Sequence, residues 1–239
     1  MHVHFIRHSE STNNVIDKSD MELYRKRREA DPGITPKGSA QCEKVGESLN
    51  KLDKPCEILF SSPMKRALLS SKSIAKSSGL KTKLWCKLYE DQGCHQQGKP
   101  FGGLTAPQVK ELFPDIELDD IIDEEGWYKA NSEEDPETAY SRAVEVVNAL
   151  SEFAQEKRYS AVAILSHGNF LDLVFKVIFG VPQDSKLKYL HENCGISTVV
   201  FMEDYKKVVY RFNSISHIES SPATSTNFED LDEKYVQGQ

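Results

Sequence analysis

The chain contains two histidines that each follow a short, mostly apolar run of residues. Residues 4–6 lead into Arg7 and His8, and residues 159–165 lead, by way of one serine, into His167. Because the carboxyl ends of parallel strands meet at one edge of a sheet, these matched contexts predict that both histidines belong to a single site. An imidazole beside a guanidinium that can hold a phosphate through two parallel hydrogen bonds indicates phosphoryl chemistry.

Several short motifs occur along the chain in a fixed order. They are RHSES at 7–11 with Asn14, ITPKG at 34–38, SSPMKRA at 61–67, LYE at 88–90, SHG at 166–168 and NCGIS at 193–197. In type and order the motifs resemble those of the histidine phosphatase superfamily, on its phosphoglycerate mutase-like branch, over roughly residues 3 to 213. Ser9 stands where that family usually has glycine.

The resemblance and the needs of phosphoryl transfer together assign roles to these residues. His8 is the predicted nucleophile, and it can attack phosphorus only as a neutral imidazole, the state that the charges of Arg7 and Arg66 favour. The same two arginines would stabilise the charge that spreads over the phosphoryl oxygens in the transition state. The other predicted phosphate-binding residues are Asn14, His167 and Gly168.

Glu90 is the predicted general acid. It must be protonated when the leaving oxygen departs, so its pKa should be raised by partial burial and by the bound phosphate. In a second step it would take a proton from the water that hydrolyses a phosphohistidine. The adjacent Asp91 leaves the assignment of this carboxylate open.

The segment after Glu90 separates two enzymatic hypotheses. Phosphoglycerate mutases share an Arg-x-Tyr-Gly-x-Leu-x-Gly pattern at this place, and residues 90–100 here read EDQGCHQQGKP, without the Arg and the Tyr. The sequence therefore favours a phosphomonoesterase that hydrolyses small phosphorylated metabolites through a phosphohistidine intermediate. A cofactor-dependent phosphoglycerate mutase is the alternative. A third hypothesis is an inactive family member that acts as an interaction module, which the full set of catalytic residue types disfavours.

Composition narrows the class of partner. The net charge of −7 argues against nucleic acid or an anionic membrane, because both reward a basic surface. No targeting segment and no apolar stretch of the ~20 residues that a membrane helix needs is visible. The five cysteines are scattered without a CxxC pair, which predicts reduced thiols and no zinc site. We expect a cytoplasmic enzyme that needs no metal or cofactor, and a homodimer is compatible with the sequence.

Alternating strand and helix signals predict the framework that positions the site. The expected helices follow Thr35, Ser62, Asp135 and His167, and the second and fourth end at Gly79 and Gly180; the expected strands are 57–60, 83–88 and the hairpin 198–202 with 207–212. This alternation indicates an α/β fold with three layers (α/β/α), a mainly parallel central sheet and one antiparallel edge strand.

The domain organisation follows from the same pattern. Residues 1–213 are expected to form one catalytic domain, with an irregular insertion or lid at about 91–135. Residues 214–239 are polar and predict a mobile C-terminal tail. The basic run 25–28 lies in the insertion after the first motif and could contact the rest of a substrate, although such a run is more often a solvated helix face.

Overall fold

A computed structural model describes residues 1–17, 19, 21–96 and 99–218 of the chain. Its strands within these residues are β1 (His2–Arg7), β2 (Ile58–Ser61), β3 (Thr82–Leu84), β4 (His95–Gln96), β5 (Lys99–Pro100), β6 (Ala161–Ser166), β7 (Ile196–Phe201) and β8 (Lys207–Ser214). Its helices are α1 (Met21–Arg27), α2 (Pro36–Leu49), α3 (Lys65–Ser78), α4 (Ala106–Leu112), α5 (Pro136–Gln155) and α6 (Gly168–Phe179), with a short 3₁₀ helix at Cys86–Leu88.

The central sheet has the strand order β3-β2-β6-β1-β7-β8. Strands β3, β2, β6 and β1 pair in parallel, and the hairpin of β7 and β8 adds two antiparallel pairings at the β1 side. In the β1–β6 pair, Arg7 lies opposite Ser166 at the carboxyl ends of both strands. Two adjacent parallel strands therefore deliver His8 and His167 to the same edge of the sheet, as the sequence predicts.

The sheet is covered by helices on both faces. On one face Phe5 of β1 and Ile164 of β6 pack against α5 and α6. On the other face Ile6 and Leu165 pack with side chains of α2 and α3. Successive strand residues point to opposite faces, and burial on both faces explains why β6 is apolar without alternation. The predicted three-layer α/β/α fold with its mainly parallel sheet is confirmed.

The helix boundaries follow local sequence signals with one exception. The Thr35 side chain accepts a hydrogen bond from Gly38 N at the start of α2, and Asp135 accepts one from Thr138 N at the start of α5. Gly79 ends α3 with φ +76°, a conformation that glycine adopts at little cost. The prediction that Ser62 starts α3 as its cap is wrong, because Met64 holds the N-cap position and makes no side-chain cap.

The predicted strand 83–88 is too long. Strand β3 ends at Leu84, and the chain then turns through the 3₁₀ helix. The turn is held by Cys86 N, which donates to the Asp119 carboxylate at 2.7 Å. This contact between distant parts of the chain overrides the alternating pattern of the local sequence.

The insertion 91–135 contains the β4–β5 hairpin and helix α4. Its own buried cluster joins Trp127, Tyr128 and Ile116 to Met64 and Leu68 of the α3 region. Trp127 and Tyr128 lie against the Tyr89 ring, with ring centroids 5.2 and 5.7 Å away. The insertion is thereby packed beside the carboxyl end of the sheet.

The predicted start of the C-terminal tail at residue 214 is too early. Strand β8 includes Ser214, Ile215 packs on the α2/α3 face, and Ile218 is fully buried there. Burial of these two side chains keeps the chain attached beyond the last strand. The rest of the predicted tail, 219–239, lies outside the described residues.

Among the described residues, no helix has the length and apolar character needed to cross a membrane.

Candidate active site

The hydrogen bonds of His8 fix which of its two ring nitrogens carries the proton. Arg66 Nε lies 3.2 Å from His8 Nε2 and can only donate, so Nε2 is the accepting, unprotonated nitrogen. On the opposite side of the ring, Nδ1 lies 2.7 Å from the Ser9 carbonyl oxygen and donates to it. The ring is therefore oriented with the lone pair of Nε2 directed towards the arginine cluster.

The surroundings also keep His8 uncharged. Burial, followed by the positive charges of Arg66 and Arg7, lowers the pKa of His8 well below its usual 6.5. A neutral imidazole at neutral pH is what an attack on phosphorus requires.

The two arginines reach the site from different elements. Arg7 ends β1, and its Nη1 donates to the His191 carbonyl oxygen at 2.5 Å. Arg66 is the second residue of α3, and its Nε donates to His8 Nε2. Burial lowers the pKa of both guanidinium groups, with Glu90 the largest opposing charge in each case. Two desolvated cations next to a nucleophile form a site suited to a phosphate dianion.

His167 faces His8 across the site, with ring centroids 5.1 Å apart. Its Nε2 lies 2.7 Å from Ser62 Oγ, and that oxygen also accepts a bond from Met64 N at 3.3 Å. Because a hydroxyl oxygen has two lone pairs and one hydrogen, Ser62 can accept from Met64 N and still either donate to Nε2 or accept from it. Nδ1 is buried and has no hydrogen-bond partner among the described residues. In the tautomer in which Ser62 donates to Nε2, Nδ1 carries the proton and is a donor suited to a phosphoryl oxygen.

Gly168 follows His167 and lies directly against Arg7. A Cβ added at position 168 would stand 3.4 Å from Arg7 Nε, at the short end of ordinary contact. Gly168 is also the first residue of α6, so its backbone contributes to the positive end of that helix. The structure therefore brings Gly168 into the predicted phosphate site through its backbone and its small size.

Glu90 occupies the start of helix α6. Its Oε1 accepts hydrogen bonds from Phe170 N at 2.8 Å and from Asp91 N at 3.0 Å, and its Oε2 lies 3.4 Å from Asn169 N. The N-cap residue His167 makes no side-chain cap, so the Glu90 carboxylate takes that place. Burial raises the pKa of Glu90 in spite of the opposing charges of Arg66 and Arg7, in the direction that a general acid needs.

A buried ion pair supports the backbone on which Glu90 stands. Arg142 binds both carboxylate oxygens of Glu134 at 2.8 and 2.6 Å, and its Nη1 donates to the carbonyl oxygens of Lys87 and Tyr89 at 2.8 Å each. The guanidinium carbon lies 3.5 Å from the Tyr89 ring centroid. Sequence reasoning missed this support, because Arg142 is one charged position in a long helix.

Hydrogen bonds between side-chain amides connect Asn14 to the backbone of His8. Its Oδ1 accepts from Ser11 N and Ser11 Oγ, which leaves the amide nitrogen as its donor towards a substrate. Asn193 Nδ2 donates to the His8 carbonyl oxygen at 2.9 Å and lies 3.5 Å from Asn14 Oδ1. The sequence marks Asn193 only as part of a motif, and the structure shows its side chain bonded to the backbone of His8.

Ser9 is accommodated in place of glycine by a polar contact. Its Oγ lies 3.0 Å from Ser70 Oγ, and its N donates to the same oxygen at 3.2 Å. Gly38 is the residue that must lack a side chain here, because an added Cβ would stand 2.4 Å from the Glu10 carbonyl oxygen and 2.9 Å from Ser9 Oγ. The Ser9 hydroxyl is therefore accommodated in the buried site by a polar partner on α3.

Of the basic run 25–28, only Arg28 turns inward. The first three residues are exposed, whereas Arg28 is half-buried and its charge acts on Arg66, Cys94 and His95. A contact between Arg28 and the rest of a substrate stays a prediction. Within the described ranges, no group of three or more His, Cys, Asp or Glu side chains could hold a metal ion.

Comparison with known proteins agrees with this geometry. The model of the histidine phosphatase superfamily (branch 1) matches residues 3–214. A phosphoserine phosphatase 1 of Hydrogenobacter thermophilus is 22% identical over 213 residues, which cover 89% of this chain and 92% of that protein.

Solved structures share the fold. The phosphoserine phosphatase of Entamoeba histolytica, solved with phosphoserine, aligns with a TM-score of 0.58 at 20% identity and covers 91% of this chain and 98% of its own. The α-ribazole phosphatase of Shigella flexneri gives 0.59 at 16% identity and covers 90% and 96%.

Proposed function

The chain belongs to branch 1 of the histidine phosphatase superfamily, and from this premise we propose that it hydrolyses small phosphomonoesters through a phosphohistidine on His8. The observation that carries the proposal is the pair of hydrogen bonds on the His8 ring, which leaves Nε2 unprotonated and faces it with Arg66. A phosphate that enters between the two arginines would meet that lone pair.

In the first step, His8 Nε2 attacks phosphorus and an N–P bond forms as the P–O bond to the alcohol breaks. Arg7, Arg66 and the Nδ1–H of His167 hold the three phosphoryl oxygens that carry the developing charge. Glu90 delivers its proton to the departing alkoxide and is left as a carboxylate. The Ser9 carbonyl, which accepts from Nδ1, stabilises the imidazole as it becomes more electron-poor.

In the second step, water attacks the phosphohistidine. The Glu90 carboxylate takes the proton from the water as the new O–P bond forms and the N–P bond breaks. Inorganic phosphate leaves, and both His8 and Glu90 return to their starting protonation states. One carboxylate thus serves as acid and then as base, and its raised pKa suits both tasks.

Hydrolysis of small monoesters is supported by two features. The segment after Glu90 lacks the Arg and Tyr that phosphoglycerate mutases share. Two of the proteins that resemble this chain carry the names phosphoserine phosphatase and α-ribazole phosphatase, which refer to small phosphomonoesters.

The first experiment is a phosphate-release screen over sugar phosphates, phosphoglycerates, phosphoamino acids and nucleotides, run with and without a chelator of divalent ions. The best substrate is then used to trap the intermediate, which should be labile in acid and stable in alkali. His8→Ala should abolish both the label and turnover, whereas His2→Gln, on the same strand, should leave both unchanged. Near-native turnover by His8→Ala would overturn the proposal.

A second assay separates hydrolysis from isomerisation. The conversion of 3- to 2-phosphoglycerate is followed with a primed phosphoenzyme, and we expect phosphate release to exceed isomerisation for every phosphoglycerate tested. Isomerisation faster than release would favour the mutase alternative.

A further inference from the structure

Asp31 is a buried carboxylate that the proposed mechanism does not use. It lies in the loop between α1 and α2, far from α3 in the sequence, yet its Oδ1 accepts a hydrogen bond from Lys65 N at 2.8 Å. Lys65 is the first residue of α3, and the next residue is Arg66. Asp31 therefore holds the helix end from which the arginine enters the active site.

No other side chain among the described residues caps this end of the helix. Met64 occupies the N-cap position and offers no acceptor, and the Ser62 hydroxyl is engaged with Met64 N and His167. A carboxylate at a helix N-terminus satisfies a backbone donor and favours the helix dipole. Asp31 supplies both from a different loop.

The carboxylate charge of Asp31 acts on the guanidinium group of Arg66. Oδ2 is buried and has no hydrogen-bond partner among the described residues. Arg66 is the largest charge that opposes the desolvation of Asp31, and Asp31 is second only to Glu90 among the carboxylates that act on Arg66. The opposite charges of the two groups therefore act on each other within the buried site.

We propose that Asp31 is a positioning residue for Arg66: its carboxylate fixes the start of α3 and supplies the counter-charge that holds the guanidinium against His8 Nε2. Without that counter-charge, Glu90 would be the main carboxylate whose charge acts on the desolvated guanidinium. This inference rests on the proposed function, because it concerns the same phosphate site.

The charge of Asp31 depends on pH within the working range of the enzyme. Burial raises the pKa of Asp31 to about 6, against the opposing effects of Arg66 and Lys65 on α3 and with a smaller contribution from Glu29 of its own loop. Cys94 also faces it, because the Asp31 charge helps raise the pKa of that thiol. Above this pH the counter-charge is present, and below it the carboxyl is neutral.

The test compares the wild type with Asp31→Asn, which keeps an oxygen to accept from Lys65 N and removes only the charge. We expect kcat/KM to fall on the order of tenfold at pH 8, the usual scale for a buried charged group that loses its partner. The ratio of wild-type to variant kcat/KM should decline towards one as the pH falls, with a midpoint near the Asp31 pKa of about 6. Taking the ratio cancels the titrations of Glu90 and of the substrate.

Two further variants complete the design. Asp31→Ser also caps a helix without carrying charge, and it replaces the Asn variant if that protein fails to fold. Glu29→Gln removes an equal charge two residues away on an exposed side chain and should leave kcat/KM unchanged at pH 8, where Asp31 is ionised with or without Glu29.

Each result decides a different question. A ratio that is independent of pH would show that Asp31 acts only as a helix cap, and an increase in kcat/KM would show that it merely repels the phosphate; either would overturn the inference. A wild-type protein that releases no phosphate from any monoester would overturn the proposed function instead. In that case the dissociation constant of inorganic phosphate, measured by calorimetry for both proteins, still tests whether the charge of Asp31 tightens the site.

Discussion

Replacement of Glu90 by glutamine should separate its chemical role from its structural one. The glutamine Oε1 can keep the two hydrogen bonds from Phe170 N and Asp91 N, at 2.8 and 3.0 Å in the native protein. The new amide group takes the place of Oε2, whose described contact is the long approach of Asn169 N at 3.4 Å. The variant therefore retains the cap of α6 and loses the transferable proton.

The expected magnitudes differ enough to be told apart. Loss of one long hydrogen bond costs about 1 kcal/mol at most, which corresponds to roughly fivefold in rate if all of it falls on the transition state. Loss of a positioned acid costs on the order of 10²–10⁴-fold, or about 3–5 kcal/mol. An alkyl phosphate, whose alkoxide needs the proton, should show the larger loss. With p-nitrophenyl phosphate, whose nitrophenolate barely needs a proton, the loss should approach the smaller structural value.

The assay is rapid-quench measurement of phosphoenzyme formation with both substrates. The first step must be isolated because Glu90 also activates water in the second step, and steady-state rates would mix the two. Asp91→Asn is the matched control, since it alters the neighbouring carboxylate and leaves the Glu90 contacts with α6 in place.

Equal losses with the two leaving groups in that first step would refute the reasoning. They would show that Glu90 organises the site without donating a proton. A loss confined to alkyl phosphates in Asp91→Asn would transfer the role of acid to Asp91.

Three further expectations follow from the contacts of the site and its supports. Ser62→Ala should lower kcat/KM about fivefold, by the ~1 kcal/mol of one hydrogen bond that in the proposed mechanism fixes the His167 tautomer, and ring ¹⁵N spectra that still show the proton on Nδ1 alone would contradict that account. Arg142→Met should lower the free energy of unfolding by about 3–5 kcal/mol in urea titration, because it leaves the buried Glu134 carboxylate without its charged partner. The control Lys44→Ala breaks an exposed ion pair and should cost only about 0–1 kcal/mol. Similar losses for both variants would contradict this expectation. Burial lowers the pKa of His4 from 6.5 to about 4, so in this pH range the unfolded chain binds a proton that the folded chain does not. The free energy of unfolding therefore falls as the pH drops from 6.5 towards 4. His4→Gln should show a shallower fall over that window, and parallel curves for the two proteins would contradict this account.

The sequence sufficed for the residues that stand at strand ends. Arg7, His8 and His167 follow directly from two apolar runs, because the parallel arrangement of β1 and β6 needs no information beyond the alternation of strands and helices. The sequence places Glu90 just past the end of a strand that is longer than the one that forms. Its position survives because the 3₁₀ helix still ends beside the start of α6.

The supporting contacts could not be predicted, because their partners are distant in sequence and ordinary in type. Ser62 carries a helix-capping signal, but its oxygen accepts from the N–H of Met64, the N-cap residue, and caps no residue inside the helix. The folded protein adds a second partner, His167, from more than a hundred residues away. A local sequence pattern cannot reveal that contact. The sequence therefore indicates only a capping role for Ser62 and not its hydrogen bond to the His167 ring.

Arg142 and Asp31 illustrate the same limit for charge. Each is one of many charged residues in a chain where Asp, Glu, Lys and Arg make up 28% of the sequence, so residue type alone gives neither any distinction. Their importance arises from burial, which removes water as the competing partner and makes each remaining contact decisive. The residues that carry the reacting atoms of this site can therefore be predicted from short motifs. Their protonation states depend on buried partners that are brought together only by the fold.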